Sequence, residues 1–171
     1  MNLTQQAAYH TKTPYELWQE GEELSVMRGH CVEDLRALSL TPWKRKGVSG
    51  AFINLAGAGR SCDAYVCEIV PKGQTQPQRH LYEELIYVLQ GRGATTVWNE
   101  GGPKQTFEWQ EGSLFSPPLN SWHQHFNVQG DAPARYVALT DAPQMINRFR
   151  NLDFIFRNPV IFSDRFVGEK G

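Results

Sequence analysis

Five side chains in two short stretches have the types and spacing that metal chemistry uses. In "QPQRHLYEELIYVLQGRG", from Gln76 to Gly93, Gln78 and His80 stand two residues apart and Glu84 follows His80 by four. Residues two apart in an extended strand face the same way, so Gln78 and His80 project to one side. In "GSLFSPPLNSWHQHFN", from Gly112 to Asn127, His123 and His125 share a face for the same reason. A lone strand histidine is usually structural. Two imidazoles and a carboxylate on paired strands are a different matter. His80, His123 and Glu84 then supply a two-histidine, one-carboxylate donor set, which leaves positions on a bound ion open for substrate or oxygen. Glu83 points the other way and is expected to make a salt bridge at the rim.

The elements that must position these residues are short strands. From Ala51 to about Ala138 the chain reads as "AFINL", "DAYVCEIV", "LIYVLQG", "ATTVWNE", "QTFEW", "SLFSP", "WHQHFNV" and "RYVALT", separated by Gly, Pro and Asn. Strands this close, with no long helix between them, argue for an antiparallel all-β sandwich or barrel. Before them, "TPYELWQEGEEL" offers Thr13 as N-cap, Pro14 at the first helical position and Glu16 at the capping-box offset. "VEDLRAL" is expected to add a helical turn. The tail carries Phe149, Phe154, Phe156, Phe162 and Phe166 with interleaved arginines, and is expected to pack on the barrel or on a neighbouring subunit. Three parts follow: an N-terminal extension over 1–50, a barrel over 51–142 and an aromatic tail over 143–171.

At 171 residues with 40% apolar content, the chain is long enough for one domain with its own core. A net charge of −1 argues against nucleic acid or a membrane surface as partner. No apolar run is long enough to span a bilayer, and "MNLTQQAAYHTKTP" lacks the pattern of a secretory leader. Cys31, Cys62 and Cys67 form no zinc pattern and suit a reduced, cytoplasmic protein.

The two stretches resemble the sequence motifs of the cupin superfamily. The first motif, H-x-H-x3-E-x6-G, is matched by "QRHLYEELIYVLQG", in which Gly91 fixes Glu84 and His80, and Gln78 stands at the leading histidine. The second, G-x5-P-x-G-x2-H-x3-N, is matched from Gly112 through Pro118, Asn120, His123 and Asn127. Asn120 replaces the usual glycine, and asparagine tolerates positive φ in turns. The resemblance implies an antiparallel double-stranded β-helix, or jelly-roll barrel, with short helical or irregular extensions at both ends. It also implies a divalent metal ion on Gln78, His80, Glu84 and His123, with Fe2+ the first expectation and Mn2+, Ni2+ or Zn2+ as alternatives. Gln78 departs from the pattern, and three readings stay open. Its side-chain oxygen coordinates the ion, or it only lines the pocket, or His125 takes its place.

Tyr82, Tyr87, Trp98, Phe115, Trp122 and Phe126 lie in or beside the motif strands and suggest an aromatic pocket for a planar or apolar small molecule. Arg79 and Arg92 flank the motif, with Arg79 alternating outward from Gln78 and His80. The expected function is a metal-dependent enzyme, a dioxygenase-type oxidoreductase on an aromatic or enolisable substrate, resembling one barrel of the gentisate-dioxygenase-like bicupins. The alternative is a non-catalytic small-molecule-binding barrel. No general base is assigned. A homodimer is expected through an exposed sheet face.

Overall fold

A computed structural model describes residues 11–58 and 60–166. The reading of the N-terminal residues as leader-free falls largely outside the described ones. Helix α1 (Pro14–Gly21) begins where the capping signals place it. The Thr13 hydroxyl accepts from Glu16 N, and the Glu16 carboxylate accepts from Thr13 N at 2.7 Å. There follow β1 (Val26–Gly29), β2 (Thr41–Trp43), β3 (Val48–Leu55), β4 (Asp63–Ile69), β5 (Glu84–Gln90) and β6 (Arg92–Trp98). The chain then forms β7 (Gln105–Gln110), β8 (Leu114–Phe115), β9 (Trp122–Asn127) and β10 (Ala134–Thr140), and ends in α2 (Ala142–Phe149) and α3 (Leu152–Phe156). Each expected strand is present.

The strands form two sheets. The larger has the order β1-β3-β4-β10-β5-β8, with β2 also paired to β3; the smaller has the order β7-β6-β9. Strand β10, the last in sequence, sits between β4 and β5, which is the crossed connectivity of a jelly roll. Main-chain ladders stay within each sheet, so the jelly roll is two facing sheets rather than a closed hydrogen-bonded cylinder. Antiparallel strands with one face on the core should alternate in burial. In β9, His123, His125 and Asn127 are buried while Trp122, Gln124 and Phe126 are half-buried.

The interior is strongly aromatic. Trp43, Phe52 and Tyr65 pack edge to face with ring centroids 5.1–5.2 Å apart. Tyr15 and Trp18 of α1, Ile146 of α2 and Ile155 of α3 join the same core, so the terminal helices close one end of it. Phe156 stacks on Trp18, and Phe162 packs against the core. Phe149 and Phe154 instead pair with each other at the surface.

One expected element is absent. Residues 32–38 make turns, not helix. The Asp34 carboxylate accepts from Arg36 N at 2.8 Å, a local bond that competes with helix. The Ala37 amide goes to Asp34 O in a tight turn, and the Arg135 guanidinium holds the segment by the carbonyls of Leu35, Arg36 and Leu38.

Candidate metal centre

The two motif stretches meet through the backbone. Gln78 N donates to His123 O at 2.9 Å and His123 N donates to Gln78 O at 2.8 Å, a closed antiparallel pair at the edge of β9. Asn120 N donates to the His80 carbonyl at 3.1 Å and ties the second turn to the first motif. Glu84 opens β5, and its register is set at the far end by Gly91, where φ is +86°. A Cβ at Gly91 would lie 2.9 Å from both Ala134 Cα and Pro133 O, so only glycine turns the chain there.

His80, Glu84 and His123 converge. Glu84 Oε2 lies 3.6 Å from His80 Nε2 and 3.8 Å from His123 Nε2, and all three residues are buried. Their ligating atoms fall within 4.8 Å of one another, close enough to share one ion. The His80 and His123 Nδ1 atoms sit 2.9 and 3.2 Å from the carbonyls of Tyr82 and Ser121. A carbonyl only accepts, so each Nδ1 carries the proton and each Nε2 offers its lone pair inward. Tyr82 stacks flat on His80 at 3.7 Å and holds the ring.

Gln78 Oε1, His80 Nε2, Glu84 Oε2 and His123 Nε2 are buried and have no hydrogen-bond partner. Leaving one such atom unpaired costs about 1–3 kcal/mol. The three that converge fit a divalent cation, with two neutral imidazoles and one carboxylate as donors.

Glu84 is held by its other oxygen. The Tyr65 hydroxyl donates to Oε1, and Lys46 Nζ donates to the Tyr65 hydroxyl at 2.7 Å while standing 4.0 Å from the same carboxylate oxygen. Burial works to raise the Glu84 carboxyl, but the Lys46 charge beside it outweighs burial and holds it well below the usual carboxylate range. Burial pushes the Lys46 amine down and the Tyr65 phenol well up. Burial, reinforced by His80, keeps His123 neutral.

His125 lies beside this group, its ring 5.5 Å from that of His123, and burial brings it down to about 3. Its Nδ1 is 2.8 Å from Thr95 Oγ1, which also accepts from the Trp109 indole at 2.9 Å. The threonine oxygen has two lone pairs and one proton, so it can take the indole N–H and pair with Nδ1 in either direction. His125 Nε2 is buried with no partner.

The Cupin domain family matches residues 65–140. Over those residues the chain is similar to the cupin superfamily. A 5-aminosalicylate 1,2-dioxygenase from Comamonas sp. is 28% identical over 102 residues, covering 58% of this chain and 25% of the relative. Among solved structures, the Lactobacillus farciminis oxalate decarboxylase superposes with a TM-score of 0.53 at 23% identity, covering 64% of this chain and 32% of that one. The Bacillus subtilis oxalate decarboxylase gives 0.52 at 19% identity, covering 59% and 27%. At these identities the structural likeness speaks to the fold. The chain spans a quarter to a third of the length of those relatives.

The jelly roll brings together the ligating atoms of three of the five residues singled out by spacing, His80, Glu84 and His123, with Gln78 paired to His123 through the backbone and His125 alongside. Glu83 sits at the rim, 3.5 Å from Arg165, as expected. Asn120 adopts φ +57°, as its place in the motif requires. Its amide also donates to the carbonyls of Asn158 and Val160, so it anchors the C-terminal tail in a way glycine could not. The aromatic lining differs in part from the expectation. Tyr82 and Phe115 do reach the interior, whereas Trp98 and Trp122 stack on each other on the opposite face of the small sheet and Tyr87 is exposed. The interior is completed by Trp43, Tyr65, Trp109 and Tyr136, and its cation is Lys46. Spacing gave no sign of these residues, because β2, β4, β7 and β10 reach the site only through sheet pairing.

Proposed function

We propose that this chain is a metal-dependent enzyme acting on a small organic molecule, a dioxygenase-type oxidoreductase on an aromatic or enolisable substrate. One observation carries the reading: the buried, unpartnered acceptor atoms of His80, Glu84 and His123 converge within 4.8 Å, and Gln78, paired with His123 through the backbone, adds a fourth unpartnered acceptor. The sequence likeness to a 5-aminosalicylate 1,2-dioxygenase supports the choice of reaction. When bound, a divalent ion supplies a Lewis acid and, as iron, the electron chemistry that oxygen requires; Fe2+ is the proposed metal, with Mn2+, Ni2+ or Zn2+ as alternatives.

The chain's own residues then have separable tasks. The Tyr82 and Ser121 carbonyls fix the His80 and His123 tautomers and aim both Nε2 atoms inward. Tyr65 and Lys46 hold Glu84 ionised with one oxygen free. Gln78 adds a neutral oxygen. His125 is proposed as a hydrogen-bond donor to the substrate instead of a ligand, in the tautomer whose Nδ1 accepts from Thr95 and whose Nε2 carries the proton. The aromatic walls exclude water.

Two further parts of the reading concern setting. The outer face of the large sheet exposes Leu85, Tyr87, Leu114 and Leu139 on adjacent strands, which supports a homodimer through that face. Free Cys31 and Cys62, both exposed, support a reducing cytoplasmic location. No helix among the described residues is long and apolar enough to cross a membrane.

The test is metal analysis of the purified protein, followed by oxygen uptake with aromatic diols after anaerobic loading with Fe2+. Stoichiometric iron with substrate-dependent uptake supports the reading. Bound zinc or nickel with no oxygen dependence would redirect it to a lyase, isomerase or hydrolase. A metal-free protein whose small-molecule binding survives His123→Ala would replace it with a non-catalytic binding barrel.

A further inference from the structure

Beside the metal centre lies a cleft of about 490 Å³, walled by Trp18, Arg45, Gln78, Arg79, Trp122 and Phe156. Its polar atoms are poorly matched to each other. Arg45 donates through Nε to both Glu22 oxygens at 2.9 Å, and its guanidinium lies over the Trp18, Trp43 and Phe156 rings at 4.8–5.4 Å. The Tyr82 phenol lies against the same guanidinium, yet Arg45 Nη2 is buried with no hydrogen-bond partner. Arg79 lies over the Trp122 ring at 4.9 Å and gives one long bond, 3.3 Å, to the Arg157 carbonyl. Its Nε is also buried and unpartnered, and no carboxylate among the described residues pairs with it. The remaining charges of the cleft, Asp153 and Arg157, face each other at 3.5 Å.

Two guanidiniums therefore line one cavity, each with a buried N–H unused within the protein, and Glu22 balances only one of them. Such donors match the two oxygens of a carboxylate, and the flat aromatic walls match a planar body. Gln78 lines this wall and also carries one of the unpartnered acceptors, so it is the residue shared by the cleft and the proposed metal centre. We infer that the cleft binds a small planar monocarboxylic acid, with its carboxylate on Arg45 and Arg79 and its opposite end toward Gln78. The inference rests on the proposed function for what happens to that acid, but the binding itself needs no metal.

The experiment is a calorimetric titration of benzoate and of neutral benzamide into metal-free and metal-loaded protein, wild type, Arg79→Gln, Arg79→Lys and Arg92→Gln. Arg92 is an arginine outside the cleft and serves as the control. Expected are benzoate binding to both forms of the wild type, benzamide binding weaker, a loss of roughly tenfold or more for benzoate in R79Q, partial recovery in R79K and none of these losses in R92Q. Equal affinity for benzamide, or benzoate binding that needs the metal and ignores R79Q, overturns the inference. If the protein takes up no metal and benzoate still depends on Arg79, the proposed reaction fails and the cleft stands. If metal binds and benzoate does not bind either form, the cleft fails and the metal centre stands.

Discussion

Two clusters of buried polar side chains sit inside this jelly roll, and their hydrogen bonding is opposite in kind. Around Asp63, the Tyr15 and Thr140 hydroxyls each donate to a different carboxylate oxygen, Gln19 donates to Tyr15 at 2.9 Å, and Gln19 and Asn54 bond each other. That cluster completes itself and ties α1 and β10 to β4. Around Glu84, one carboxylate oxygen is taken by Tyr65 and the other, with three further acceptors, is left open. Burial alone does not mark a functional site. What separates the two is whether the polar atoms finish their bonds within the protein.

The comparison breaks first if the open cluster proves to be structural. His80→Ala or His123→Ala is expected to abolish Fe2+ and Mn2+ binding, a loss beyond about 100-fold, while the barrel stays folded. Calorimetric metal titration beside thermal unfolding checks this. A variant that loses its fold and keeps its metal when refolded would reverse the assignment.

Lys46 tests the electrostatics of the open cluster. Removing one member of a buried ion pair costs about 3–5 kcal/mol, because the remaining charge is uncompensated. Lys46→Met is therefore expected to destabilise the metal-free protein by about 3 kcal/mol at neutral pH, with part of the loss restored by saturating divalent metal. Urea unfolding with and without metal measures it. The same loss in both conditions would show that Lys46 serves only the core.

The closed cluster makes a pH prediction. Burial raises the Asp63 carboxyl from 3.8 to about 6, against the opposing pull of its hydroxyl partners. A carboxyl whose folded pKa is raised contributes stability that is fully present below the unfolded value and is lost as pH rises through the folded one. Between pH 4 and 6 this residue should lower unfolding free energy by about 2–3 kcal/mol. Asp63→Asn should flatten that slope in urea titrations and leave metal affinity unchanged. A shift in metal affinity with Asp63→Asn would mean the two clusters are not independent.

How much of this was legible in the sequence depends on range. Gly91, His80 and Glu84 lie within one strand and its turns, and Asn120 and His123 within another; fixed offsets along a strand translate directly into geometry. The pairing of Gln78 with His123 could be anticipated as convergence but not as a register. Lys46, Tyr65 and Arg45 could not, because they enter from the β2–β3 turn and β4, brought in by sheet order and not by spacing. The misplacement of Trp98 and Trp122 has a related cause. They pair across β6 and β9 at one register position and so share a face, the one opposite His123 and His125. Fixing the histidines inward forces the tryptophans outward. Residues 32–38 failed for another reason: Asp34 takes the Arg36 amide locally, and a distant side chain, Arg135, pins the carbonyls of the resulting turn.

The smallest expected effect is at Gln78, and it gives the finest resolution. Its backbone bonds to His123 hold regardless of side chain, so Gln78→Ala keeps the strand pairing that presents both histidines. What is lost is one neutral oxygen, a weaker donor than an imidazole or a carboxylate. Metal affinity should fall within roughly tenfold if Gln78 is a fourth ligand whose loss leaves the other three in place. Gln78→His, which restores the imidazole of the family motif, should tighten binding by comparison. If Gln78→Ala leaves metal affinity unchanged, the ion rests on His80, Glu84 and His123 alone. The glutamine oxygen would then face the substrate cleft, and its loss should appear in benzoate binding instead.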